Sequence, residues 1–325
     1  MGYKKTDALM RHLRDSGIDI HGSKHKRELI NTGYYHGYKG YRFFRNSNKR
    51  IPFTSYDEIY ATIQYDSELK SLFYSKVMFI ETAVKNIALE SILVNANSES
   101  IKDMYDKVVS GYNNAPASAT AEEKRKLQQN KLNLQYSIQS SLSNAYRKNN
   151  PKITHFYNKG YSDAPVWALF EIMTMGDFGY LLSCLTYDVR DDISKRLGLH
   201  VSVDLHRQLI YKYIYTIKEL RNAIAHNSVV FDTRFNNFAP SKAMKQCLSK
   251  EMGLPYVNFK TIGDYVILIC YYLKLLKVSK TEIKSFIRSY EKITDNYIKH
   301  VNSNVSAIVI HPDTANRMAI IKKYI

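Results

Sequence analysis

The amino-acid sequence predicts a mainly α fold. Three observations support this: apolar residues recur at three- and four-residue spacing, alternating strand patterns are scarce, and no internal repeat is present. At 325 residues the chain can bury a substantial core, as one large domain or two smaller ones.

Residues 6–16 read as a first helix, with Thr6 as its cap and Gly17 as its stop, and residues 23–30 as a second that ends near Gly33. The run from Gly33 to Arg45 is turn-rich and aromatic, and Pro52 and Thr54–Ser55 punctuate the chain after it. Over residues 55–93, Ile59, Ile63, Leu69, Phe73, Val77, Ile80, Val84 and Ile92 keep helical spacing, with a short break expected near 65–67. Residues 95–150 are rich in Asn, Ser, Ala, Lys and Gln around Pro116. They read as a flexible loop and then a polar helix over 122–148, an insertion and not a separate domain.

Pro165-Val-Trp-Ala-Leu-Phe-Glu-Ile-Met opens an apolar helix with Pro165 in its first turn, interrupted by Gly176 and Gly179. Residues 188–197 form a short helix closed by Gly198. Residues 205–226 contain no Pro or Gly and place Leu209, Ile210, Tyr213, Ile214, Ile217, Leu220 and Ile224 on one broad stripe. Residues 227–242 look irregular, and helices follow over 261–276 and 281–300. The expected organisation is an N-terminal helical appendage over 1–52, a helical domain over 53–300 carrying the insertion at about 95–150, and a C-terminal tail over 301–325.

Lys and Arg outnumber Asp and Glu by 47 to 30, a formal charge of +17. Such a surplus implies an anionic partner, most simply nucleic acid, although a membrane surface would also be attracted. Many of the 27 tyrosines sit beside cations or Gly, as Tyr34, Tyr35, Tyr38 and Tyr41 do, which suits base stacking; a general bias toward Tyr, Asn, Lys and Ile is the competing explanation. Cys184, Cys247 and Cys270 form no CxxC or Cys/His pair, which fits a reducing cytoplasm and argues against structural zinc. No signal-peptide pattern follows Met1, and the most apolar run, 265–276, is too short for a membrane span and contains Lys274. No membrane partner is expected. Without a phosphate-binding Gly-rich loop, a dinucleotide turn or an HExxH pair, no cofactor and no metal are expected either.

The most informative stretch is Leu220-Arg-Asn-Ala-Ile-Ala-His-Asn-Ser228. An imidazole titrates near neutral pH and a guanidinium is a permanent forked cation, so Arg221, Asn222 and His226 suit acid–base cleavage of a phosphodiester. Spacing alone is weak evidence, since Arg-x(4–6)-His arises by chance roughly once in such a chain. Arg14 and His21 match it too, but across Gly17 and with no Asn after the Arg. At about 100° per residue, Arg221 falls on the edge of the apolar stripe while Asn222 and His226 share the polar face. That is half of a site which another surface could complete; the alternative is a capping Arg and a surface His.

Several segments together, in order, resemble the bacterial abortive-infection (Abi) family, whose members carry a HEPN-type domain. Asn31-Thr-Gly-Tyr-Tyr-His-Gly-Tyr-Lys-Gly-Tyr41 resembles its N-terminal Gly-Tyr-Tyr segment, and Tyr65-Asp-Ser-Glu-Leu-Lys70 the start of its first core helix. Ile80-Glu81-Thr-Ala-Val-Lys85 resembles the heart of that helix, Pro165-Val-Trp167 with Glu171 and Gly176 the central Pro-Leu-Trp segment, and Arg221-Asn222-x3-His226 the terminal ribonuclease motif. The resemblance covers about residues 6–235. Lys85 stands where Arg is common in the family, which keeps the charge and loses the fork. Ser228 stands where some related toxins carry a Tyr that an antitoxin enzyme modifies.

The resemblance implies a HEPN-like helical bundle and a metal-independent endoribonuclease of a phage-defence or toxin–antitoxin system. His226 would move protons, Arg221 would hold the scissile phosphate, and Asn222 would orient His226 or donate to the phosphate. Glu81 and Lys85 could line the same cleft, or be an ordinary i,i+4 pair. The family's sites combine two Arg…His sets, which implies a homodimer; RNA is the implied substrate, and a small regulatory RNA a possible restraint. The alternative is a basic helical module that binds RNA or an antitoxin partner without cutting. A DNA-binding regulator would rest only on the two short N-terminal helices, which lack helix-turn-helix spacing.

Overall fold

The computed structural model, which describes residues 5–199, 202–236 and 240–325, is a mainly α helical bundle with no β-strand among the described residues. The chain divides into two compact units: residues 1–77, 219–239 and 248–325 form one, residues 78–218 and 240–247 the other.

In the first unit, α1 (Thr6–Asp15) packs on α2 (Gly22–Thr32), and a π-helical turn (Gly33–Lys39) follows directly. The 41-residue α3 (Tyr56–Ala96) begins in this unit. The expected break at 65–67 is absent: the helix is continuous, and Tyr65 and Asp66 are buried. Asp66 is a core group with internal partners, and the Tyr65 ring stacks on Tyr297 with ring centres 4.5 Å apart, so the helix runs on through them.

Four C-terminal helices complete the unit: α12 (Ile262–Leu275), α13 (Lys280–Lys299), α14 (Ser303–Val309) and α15 (Thr314–Tyr324). Helix α12 is buried along nearly its whole length and packs on α13, which also meets α14 and α15. Residues 301–325, read from sequence as a tail, therefore contribute to the core through Val305, Val309, Met318 and Ile321. Arg317 of α15 is buried against Asp264 of α12, so neither charge is left alone in the interior.

Helix α3 opens with a reciprocal cap. The Glu58 amide donates to Ser55 Oγ, and the Glu58 carboxylate accepts from the Ser55 and Thr54 amides and from Thr54 Oγ1. Its other oxygen accepts from the Asn302 backbone and side chain, 2.9 and 2.5 Å away, tying the cap of α14 to the start of α3. Burial pushes this carboxyl up, but the Thr54, Asn302 and Ser55 donors outweigh it and its pKa is lowered. A depressed folded pKa gives stability above the unfolded value, about 4.3, that is lost as pH falls through the folded one. Urea midpoints of the protein are thus expected to drop with acid below about pH 4.3. Glu58→Gln should be less stable at pH 7 and show a flatter acid limb; an identical limb in the variant would remove Glu58 from the account.

In the second unit, α5 (Ala121–Arg147) starts at a Thr120/Glu123 capping box and buries Leu134, Ile138, Leu142 and Ala145. It packs on α6 (Pro151–Asn158), α7 (Val166–Ile172) and α8 (Met175–Cys184). The segment ahead of it is not simply loop: α4 (Ile101–Asp103) and a π-helical turn (Met104–Val108) bury Ile101, Met104, Tyr105 and Val108. Pro165 is the N-cap of α7. The chain breaks at Met173–Thr174, where Thr174 Oγ1 caps α8, and not at the glycines. Gly176 and Gly179 lie inside α8; a Cβ on Gly179 would sit 3.0–3.3 Å from the Tyr215 ring, so close packing explains that residue. Helix α9 (Tyr187–Leu197) ends at left-handed Gly198.

Besides α3, two helices among the described residues pass from one unit to the other along the chain. Helix α10 (Leu209–Ala225) starts at the first residue of its apolar stripe, four residues into the run that lacks Pro and Gly. Arg207 has φ +52°, and the Asp204 carboxylate accepts the Gln208 and Leu209 amides, each at 2.8 Å, so the first turn begins there. Helix α11 (Lys242–Glu251) begins at the last residue of the stretch expected to be irregular and is a helix that the sequence reading did not assign; residues 237–239 of that stretch lie outside the described residues. Among the described residues no helix is long and apolar enough to cross a membrane.

Candidate functional site

The Arg-Asn-x3-His stretch forms the C-terminal end of α10. Ala223, on the apolar stripe, is buried, Arg221 and Asn222 are half-buried, and His226 is exposed. His226 occupies the cap position, its amide bonded to Asn222 O at 2.9 Å. Asn227 follows with φ +52°, and the Asn227 and Ser228 amides donate back to Ile224 O and Ala223 O. This paired pattern terminates the helix, and Asn is among the few non-Gly residues that accept the left-handed conformation it requires. The chain therefore turns sharply at His226 and holds its imidazole outward.

Arg221 Nη1 donates to Asn222 Oδ1 at 3.4 Å, the outer edge of hydrogen-bond range. That contact turns the amide oxygen toward the guanidinium and leaves the Asn222 NH2 as a donor. The His226 imidazole makes no hydrogen bond or ion pair among the described residues. An exposed imidazole at the same helix end as a guanidinium and an amide donor supplies the group types for acid–base chemistry at a phosphodiester.

A buried carboxylate anchors the chain just beyond. Asp66 of α3 is fully buried; its Oδ1 accepts the Val230 and Phe231 amides at 2.7 and 2.8 Å. Its Oδ2 accepts the Tyr41 hydroxyl at 2.8 Å and forms an ion pair with the Lys70 ammonium, also at 2.8 Å. Burial first, and the Asp66 charge second, push the Tyr41 phenol well above its ordinary pKa, so it stays a hydroxyl donor. Lys70 Nζ also donates to Asn227 Oδ1 at 2.8 Å, and Asn227 Nδ2 lies 3.3 Å from His36 Nε2. Since Lys70 fixes which end of the amide is oxygen, Asn227 presents its NH2 to His36, whose Nε2 must accept.

Three separate sequence segments thus converge at the end of α10: His36 and Tyr41, Asp66 and Lys70, and residues 226–231. Sequence reasoning did not assign Asp66, Lys70, Asn227 or His36 to the site. A signal existed for Asp66, which occupies the buried register of Ile59, Thr62, Leu69 and Phe73, where a carboxylate must find partners. For Asn227 and His36 no sequence signal distinguishes them from surface residues.

Glu81 and Lys85 form a pair of their own in the second unit. Lys85 Nζ bonds Glu81 Oε1 at 3.0 Å and Met173 O at 2.8 Å, and both side chains are largely covered. An ammonium used on a backbone carbonyl and a neighbouring carboxylate fits a supporting pair better than an RNA contact.

His25, Glu28 and Asp57 have ligand atoms within 4.8 Å of one another, the spacing of a metal site. The His21 amide donates to His25 Nδ1 at 3.1 Å, which puts the proton on Nε2, 3.1 Å from Asp57 Oδ2. Lys24 Nζ sits 2.8 Å from the other Asp57 oxygen, and its hydrogen bond leads the causes that hold that carboxyl below its usual range. A cation would have to displace both a proton and an ammonium. The cluster reads as the polar anchor between α2 and the start of α3.

A family model described as Abi-like protein matches residues 27–232, well over half the chain, and includes all the residues converging on the end of α10. No curated protein and no solved structure matches the chain.

Proposed function

The chain belongs to the Abi-like protein family, and from that premise we propose that it serves abortive infection, a phage defence, as a metal-independent HEPN-type endoribonuclease. The observation that carries this reading is the end of α10: an exposed His226 on a fixed turn, with Arg221 and Asn222 half-buried one turn back. RNA brings its own nucleophile, so no metal-activated water is needed. His226 takes the 2′-hydroxyl proton or gives one to the leaving 5′-oxygen, while Arg221 binds the scissile phosphate and its growing charge. Asn222, with its NH2 group directed away from Arg221, donates to a phosphate oxygen. The products are a 2′,3′-cyclic phosphate and a 5′-hydroxyl.

One chain carries one such Arg…His set, so in this reading two chains related by a two-fold axis supply the pair. A ribonuclease must be restrained in an uninfected cell, by a toxin–antitoxin partner or a small regulatory RNA. Ser228 offers no phenol for modification, so restraint through a tyrosine at that position is not part of this reading.

The test is cleavage of RNA in excess EDTA. Activity is expected to survive chelation and to vanish when the nucleotide at the cut carries 2′-deoxyribose. Loss with EDTA and return with Mg²⁺ or Mn²⁺ would overturn the chemistry. Tight RNA binding with no cleavage by the unmodified protein would instead support a binding module.

A further inference from the structure

The aromatic segment between α2 and α3 contains a surface that the proposed cleavage chemistry does not use. Between Glu28 and Asp57 the chain has five Lys and Arg residues and no Asp or Glu. Of its clustered tyrosines, Tyr38 and Tyr41 are buried, Tyr34 is half-buried, and Tyr35 is 74% exposed. The π-helical turn makes this division. It closes tightly on Thr32, whose Oγ1 would lie 2.9 Å from a Cβ on Gly37, and it turns Tyr38 inward and Tyr35 outward. π-Helical turns are rare and concentrate at functional sites.

Lys39 Nζ lies over the Tyr35 ring, 4.7 Å from its centre, and Tyr34 meets that ring edge to face at 5.5 Å, while Tyr35 itself stays largely exposed. The next residue, His36, touches Asn227, the neighbour of His226. Further along, a hairpin turn closed by Phe44 N to Lys49 O and Ile51 N to Arg42 O exposes Lys49 and Arg50. Resting on the reading that His226 is the cleavage end, we propose that Tyr35 is a base-stacking platform for single-stranded RNA, with Lys39, Lys49 and Arg50 taking backbone phosphates. Stacking accepts any base because every base has a π-face, and surrounding cations supply the affinity for the strand. Only an unpaired strand can offer a base to a side-chain ring, since the bases of a duplex remain stacked on one another. An anionic membrane would favour a contiguous apolar face beside the cations, whereas the neighbouring rings here turn inward.

The experiment measures binding of a labelled 12-nucleotide single-stranded RNA by anisotropy, using the full chain carrying His226→Ala so that cleavage is slowed at least about a hundredfold. Adding Tyr35→Ala is expected to weaken binding about fivefold or more, and Tyr35→Phe to restore it. An RNA lacking one base at the stacked position should bind the parent more weakly and Tyr35→Ala no differently. Because Tyr35 is so exposed, the variant should melt with the parent, which separates lost contact from lost fold. Unchanged affinity in Tyr35→Ala overturns the proposal, as does Tyr35→Phe failing to restore it. So does Tyr35-dependent binding to phosphatidylserine vesicles with none to RNA. The two readings fail separately: Tyr35-dependent binding without any cleavage removes the nuclease and keeps the platform, and cleavage with Tyr35-independent binding does the reverse.

Discussion

His226→Ala is expected to lower RNA cleavage by about 10²–10⁴-fold, the usual contribution of a positioned acid or base. Arg221→Ala should cost a comparable factor, about 10²–10³, by withdrawing charge stabilisation from the phosphorane-like transition state. The two variants differ in their structural side effects. His226 is exposed and caps the helix through its backbone amide, so its truncation should shift stability by no more than about 0.5 kcal/mol. Arg221 is half-buried, and its variant needs a parallel melting curve before lost activity is read as lost chemistry. In cells, expression of the unmodified chain should slow growth and fragment RNA, and neither variant should do so. Equal toxicity from all three would remove both residues from the site. Mixing Arg221→Ala chains with His226→Ala chains extends the test to the dimer. Partial recovery means the two sets act across an interface, and full-rate cleavage by a monomer in solution excludes a shared site.

The helical class and the existence of most helices were legible because one-sided burial imposes a period near 3.6 on α3, α10 and α13, and burial on every face makes α12 a continuous apolar run. What escaped the pattern was polar residues buried with partners. Tyr65, Asp66 and Ser67 look like an interruption to any reading that equates polarity with solvent, yet Asp66 sits on the core register, where it accepts three hydrogen bonds and pairs with Lys70. Gly179 looks like a helix breaker but makes room for the Tyr215 ring, a contact 36 residues away in the chain that no local pattern encodes. The short helices α14 and α15 owe their order to α13, and an 11-residue helix is marginal on propensity alone. At the candidate site, Arg221, Asn222 and His226 could be read from spacing on one helix. Their surroundings come from segments near residues 36, 66 and 227, and only the folded chain brings those together.

That convergence gives Asp66 the largest structural effect expected of any residue near the site. It is a positioning residue: it touches no substrate and holds the chain that follows His226. In Asp66→Ala the Val230 and Phe231 amides, the Tyr41 hydroxyl and the Lys70 ammonium all lose an acceptor in a place from which water is excluded. Each orphaned donor costs about 1–3 kcal/mol, but the costs overlap because Lys70 keeps Asn227 and the backbone can relax. The net loss is expected at about 3–5 kcal/mol, the cost of breaking a buried charge pair from one side. Asp66→Asn should recover little, since an amide that keeps its oxygen on the two backbone donors turns its NH2 toward Tyr41 and Lys70. Lys70→Met tests the accounting. With no ammonium left to strand, Asp66→Ala in that background should cost clearly less than in the native chain, giving a coupling energy within about 0.5–3 kcal/mol. Urea denaturation of the four proteins measures it. Additive effects, or a loss below about 1 kcal/mol in Asp66→Ala alone, would mean that this carboxylate does not hold the turn after His226.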